Sequence, residues 1–162
     1  MGIAEDLLTL AARLANPAPE EPEQASLRRS ISTAYYALFH LLIREAAQGW
    51  NGPVTVRAGL ERRFEHKNMK DVSRAVANNR TLGWATPSPT PPSALQAVAK
   101  AFVLLQEARH SADYDNTRIW TRLEVREKVA EVKSAFRDWD SIKTHPAANE
   151  YLLSLLIGNK RE

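Results

Sequence analysis

The chain has 162 residues, a formal net charge of +3 and no cysteine. This length fits one domain with a core that needs no staples. The missing cysteine excludes disulfides, thiolate metal sites and cysteine nucleophiles, and a charge this mild is ordinary for solubility. A reducing, cytoplasmic location is the expectation. The first residues, with Glu5 and Asp6, lack the cationic stretch of a secretory signal, and Asp6 stands where a myristoylation pattern wants Ser or Thr. No apolar run approaches the ~18 residues needed to span a bilayer, so no membrane is expected. The whole chain, 1–162, reads as a single helical domain.

The first element is an amphipathic helix over 5–15, with Leu7, Leu8, Leu10, Ala11 and Leu14. Asn16, Pro17 and Pro19 end it. A second helix is predicted from about Pro22 to Gln48, with Leu27, Ile31, Ala34, Leu38 and Leu41 spaced as a bundle seam. Tyr35, Phe39 and Leu42 widen that apolar face, which makes this helix central. Gly49, Gly52 and Pro53 stop it. The stretch 54–78 reads as one or two short charged helices. Arg28, Arg29, Arg57, Arg62, Arg63, Lys67, Lys70 and Arg74 make the first half basic.

The segment 79–92 is irregular and rich in proline, the type of long connection that is often mobile or functional. Thr90 is placed to cap the next helix, with Pro91 at its first position. Leu95, Val98, Phe102, Leu105 and Arg109 then share one stripe, which ends in an arginine. Asp115 and Asn116 form a turn. Thr121 and Glu124 have the spacing of a capping box, ahead of a stripe of Val125, Val129, Val132, Phe136 and Trp139. Trp139 is the one tryptophan in a core stripe. His145 and Pro146 break that helix, and a short helix over 147–158 carries Tyr151, Leu152, Leu155 and Leu156. No strand alternation competes, so the fold class is all-α, an up-and-down helical bundle.

Chemistry concentrates near Arg109. Asp113 lies one helical turn beyond it, and His110 and Tyr114 are another pair at that spacing. A guanidinium matches a phosphate bidentately. The other reading is a buried Arg109–Asp113 pair that ties down the helix end. Arg29, Thr33, Tyr36 and His40 form a polar stripe on the central helix that could face Arg109. They could equally be half-buried residues with satisfied tips. His66, followed by Lys67, reads on its own as a surface histidine. The four histidines are scattered, so no metal-ligand spacing arises, and neither a glycine-rich phosphate loop nor a nucleophile elbow is present.

These residues carry a resemblance. Arg28-x-Ser30-x-x-Thr33-Ala34-Tyr35-Tyr36-Ala37-Leu38-Phe39-His40, then His66-Lys67, then Arg109-x-x-Ala112-Asp113-Tyr114-Asp115 and a last long amphipathic helix resemble the HEPN domain family, in its small stand-alone prokaryotic branch. The resemblance covers roughly 27–139. It implies a HEPN-like helical bundle, commonly a homodimer, with no cofactor. It also implies RNA-linked roles in toxin–antitoxin or phage-defence systems, with an antitoxin or a small nucleotidyltransferase as partner. Many members are metal-independent endoribonucleases in which a catalytic histidine follows the arginine after four to six intervening residues. Here that window begins at Tyr114 and holds no histidine. Tyrosine is a poor base, with a reference pKa of about 10, and His110, adjacent to Arg109, projects about 100° away on a helix.

The expectation is therefore a module that binds RNA, a nucleotide or a partner protein and is not strongly catalytic. Its binding candidates are Arg109, Asp113, Tyr114, Tyr36, His40, His66 and Lys67. One alternative is a metal-independent endoribonuclease using Arg109 with His110 or His40. The other is a structural subunit that dimerises through spare apolar side chains on the last helix.

Overall fold

A computed structural model describes residues 2–16 and 23–158. Pro17, Pro19 and Pro22, invoked above as helix boundaries, lie outside the described residues. The described residues form helices α1 (Ile3–Ala15), α2 (Gln24–Gln48), α3 (Val54–Glu61), α4 (His66–Ala77), α5 (Ser93–Tyr114), α6 (Arg122–Ile142) and α7 (Pro146–Ile157), with no strand. None of these helices is long and apolar enough to cross a membrane.

Helix α2 is the centre, as its wide apolar face requires. Leu27, Ile31, Ala34, Tyr35, Leu38, Leu41 and Leu42 are all buried, and α2 packs against α1, α5, α6 and α7. The α5 stripe of Leu95, Val98, Phe102 and Leu105 is fully buried. The capping box that opens α6 forms as its spacing demands: Glu124 N–H donates to Thr121 Oγ1 at 3.2 Å, and Thr121 N–H donates to Glu124 Oε2 at 2.8 Å.

Several details differ from the sequence reading. Helix α1 buries Ala4, Ala11 and Ala15, while Leu10 is exposed. Small side chains let α1 approach α2 closely enough for Ser30 Oγ to donate to the Ala11 carbonyl at 2.8 Å. Helix α5 starts at Ser93 with Pro92 as its N-cap, not with Thr90 as the cap. Phe136 is only partly buried, and its neighbour Ala135 takes the core position. Trp120 joins Trp139 in the core at 2% exposure, with the Arg118 guanidinium 3.8 Å from its ring centre. Helix α7 runs over 146–157 rather than 147–158, because His145 Nδ1 caps it by accepting from Ala147 N–H.

The proline-rich segment is fastened to α7. Buried Glu150 accepts from Ala85 N–H and from Ser88 Oγ, and Trp84 Nε1 donates to Ser154 Oγ. Tyr151 and Leu155 face the chain's own core, and Tyr151 shares a buried 2.7 Å hydrogen bond with Ser73. The apolar side chains expected to be spare on this helix are thus half used at home.

The basic first half is also partly spent. Arg28 donates to the carbonyls of Ala112, Asp115 and Arg118, which ties off the end of α5. Lys70 and Arg74 pair with Glu107.

Candidate functional site

The chemistry gathers where α2, α4 and α5 meet. Helix α5 buries its stripe against α2, so its next stripe position, Arg109, emerges at the edge of the core with its side chain 19% exposed. The guanidinium carbon sits 5.1 Å from the centre of the Tyr36 ring and 5.5 Å from that of Tyr35. Both distances are within cation–π range. Asp113 Oδ2 lies 3.2 Å from Arg109 Nε, but the N–H is not aimed along that line, so this is an ion pair without a formed hydrogen bond. The terminal amino groups of Arg109 have no carboxylate or carbonyl partner among the described residues. Ser32 Oγ reaches Asp113 Oδ2 only weakly, at 3.5 Å.

His66 is the first residue of α4, and the helix turns it inward. It stands three residues before Met69 on the face that also buries Ser73 and Val76. That spacing was the available signal that His66 is not a surface residue. Its ring stacks on Phe39 at 4.5 Å, and Nδ1 lies 2.6 Å from the Tyr35 hydroxyl. Gln106, one turn before Arg109 on α5, donates Nε2 to the His66 carbonyl at 3.1 Å and leaves its own Oε1 buried without a partner. His40 completes the cluster, 5.5 Å from Phe39 and 6.4 Å from Tyr36, ring to ring.

The electrostatics follow from this packing. Burial lowers the pKa of His66, and the nearby charges of Arg109 and His40 lower it further. Burial also lowers His40, against a raising effect of Glu61. Burial raises the Tyr35 phenol while Arg109 pulls the other way, and burial wins. At neutral pH both imidazoles are therefore neutral and the Tyr35 phenol keeps its proton.

Not every expected residue joins it. His110 and Tyr114 are exposed and pack on each other, rings 5.0 Å apart, on another face of α5. Arg29 is exposed. Arg62, Arg63 and Lys67 are exposed at the α3–α4 link, and Lys67 directly follows His66. Tyr35, Phe39 and Gln106 belong to the site although the sequence reading assigned the first two to the core and left Gln106 unmentioned. Among the described residues, no three acidic or histidine side chains converge as metal ligands.

In comparison with known proteins, the chain matches no family model, no curated sequence and no solved structure.

Proposed function

We propose that this protein is a HEPN-like module that binds single-stranded RNA across the α2–α4–α5 junction. The observation that carries this reading is Arg109: a guanidinium lying beside two adjacent tyrosine rings, paired with Asp113 at Nε, whose terminal amino groups make no hydrogen bond to another described residue. Those groups suit a phosphate. Tyr36 and His40 offer π-faces beside it for an unpaired base, and Arg62, Arg63 and Lys67 extend positive charge along the α3–α4 link for neighbouring phosphates. The toxin–antitoxin or phage-defence setting, and an antitoxin or nucleotidyltransferase partner, belong to the same proposal through the family resemblance.

Fluorescence anisotropy with a short labelled RNA tests it. Wild type binds and weakens as salt rises. Arg109→Ala weakens binding about tenfold or more, the equivalent of one lost charge-assisted hydrogen bond, with its helical circular dichroism intact. Equal binding by both proteins would reject the reading.

A second reading, a metal-independent endoribonuclease, has one observation in its favour. Two imidazoles with lowered pKa lie in one cluster with the guanidinium. It would use His40 and His66 rather than His110, which packs on Tyr114 away from the cluster. RNA cleavage in the presence of a chelator, lost in Arg109→Ala, is its signature.

A further inference from the structure

The Tyr35–His66 contact has a chemical consequence. Tyr35 is fully buried, and a phenol in that setting keeps its proton. A buried hydroxyl must place that proton on an acceptor. Its one hydrogen-bond partner among the described residues is His66 Nδ1, at 2.6 Å. The phenol therefore donates and Nδ1 accepts. In a neutral imidazole the two nitrogens have opposite roles, so the remaining proton sits on Nε2.

The Tyr35 hydrogen bond also orients the ring: a half-turn about Cβ–Cγ would keep the stacking on Phe39 but would present a ring carbon to the hydroxyl.

We infer that Tyr35 is a positioning residue that fixes His66 as an Nε2–H donor, so that the Arg109 guanidinium and the His66 imidazole together hold a phosphodiester of the bound strand. This rests on the RNA-binding reading and deepens it. His66 thereby acts as a donor in its neutral form, when an untethered imidazole would offer a mixture of tautomers. The groups around it are Tyr35, Tyr36, Phe39 and His40 from α2, Gln106 and Arg109 from α5, and Lys67 beside it on α4. Asp113 acts on Arg109, and Glu61 of α3 acts on His40.

The experiment combines one measurement without RNA and one with it. Nitrogen-15 NMR of the free protein above the His66 titration should find His66 wholly in the Nε2–H form, and Tyr35→Phe should show an admixture of the Nδ1–H form, as in a free imidazole. An Nδ1–H form in wild type overturns the inference, whatever RNA does.

Anisotropy with the same RNA is then followed over pH. Tyr35→Phe should bind about tenfold more weakly at high pH, the loss of one hydrogen-bonded donor to an anion. The deficit should vanish at low pH, where both ring nitrogens carry protons without help. His66→Ala should lose affinity at every pH, and His66→Gln, whose amide N–H reaches the region of Nε2, should recover part of it.

A Tyr35→Phe deficit equal at all pH would assign the hydroxyl a structural role and overturn the inference. If Arg109→Ala weakens binding but Tyr35→Phe and His66→Ala do not, the inference falls and the RNA reading stands. If wild type fails to bind RNA, the RNA reading falls and takes the phosphodiester with it.

Discussion

Two polar regions of this bundle are built from similar materials and arranged differently. Under the proline-rich segment, each buried side-chain oxygen has a partner. Glu150 takes Ala85 N–H and Ser88 Oγ, Ser154 takes Trp84 Nε1, and Ser73 pairs with Tyr151. At the α2–α4–α5 junction the polar groups are gathered but not closed. Arg109 meets Asp113 only through a misaligned Nε, and Gln106 Oε1 is buried without a partner. A closed set of hydrogen bonds fastens a segment. An open set beside aromatic rings leaves donors for a ligand. The contrast separates a region closed by its own hydrogen bonds from one that leaves polar groups open, the region proposed above to bind.

The largest expected effect sets the scale for both regions. Phe102→Ala should cost about 3–5 kcal/mol in urea denaturation, because the ring is fully buried and lies 5.5 Å from Tyr35, centre to centre. Phe136→Ala should cost clearly less, since that ring is only partly buried. Equal costs would show that the core boundary is drawn in the wrong place.

Next comes the closed region. Glu150→Ala strands the Ala85 N–H and the Ser88 hydroxyl, and should destabilise by about 1–3 kcal/mol without changing RNA affinity. Hydrogen exchange should speed up in 79–92. If RNA binding collapsed with it, the two regions would not be separate.

The open region should respond in the opposite sense. Arg109→Ala should change stability by less than ~1 kcal/mol, the range of a partly exposed ion pair, since the two side chains keep 19% and 30% exposure. A loss of ~3–5 kcal/mol would mean that Arg109 and Asp113 behave as a buried pair, and the junction would then be a fastening like the other.

The mildest effect is that of pH. His40 and His66 titrate lower in the folded chain than in the unfolded one. Below the unfolded value of about 6.5 the unfolded chain binds more protons, so stability falls as pH falls through that window. His66→Gln should make the melting temperature less sensitive to acid between about pH 6.5 and 5. An unchanged slope would mean that His66 is already solvated like a free imidazole.

Much of the fold was legible in the sequence, because periodicity reports burial directly. The α2 and α5 stripes and the α6 capping box are local patterns that need no partner to be seen. Misses fell where burial depends on a neighbour. Leu10 fits an apolar pattern but is exposed, since α1 approaches α2 through alanines. Trp120 lies outside any stripe and is buried through the loop fastened by Arg28.

Within the site, Arg109 and Asp113 were legible from their spacing on one helix. His66 was underrated because its partners Tyr35 and Phe39 lie on a distant segment, although its register with Met69, Ser73 and Val76 marked it as inward. His110 and Tyr114 drew attention by adjacency, yet a helix turns adjacent residues to different faces.

The sequence by itself determined an all-helical chain, its central helix and the placing of an arginine at the end of a core stripe. Helical period is a property of a single segment, and apolar spacing along it is enough to assign a buried face. Only the tertiary structure decided which chemistry surrounds that arginine. It brought His66 from α4 against Tyr35 and Phe39 from α2, and closed Glu150 over the proline-rich segment. Such meetings join residues far apart in the chain, and their geometry is fixed by how whole helices pack, a quantity that no single segment encodes.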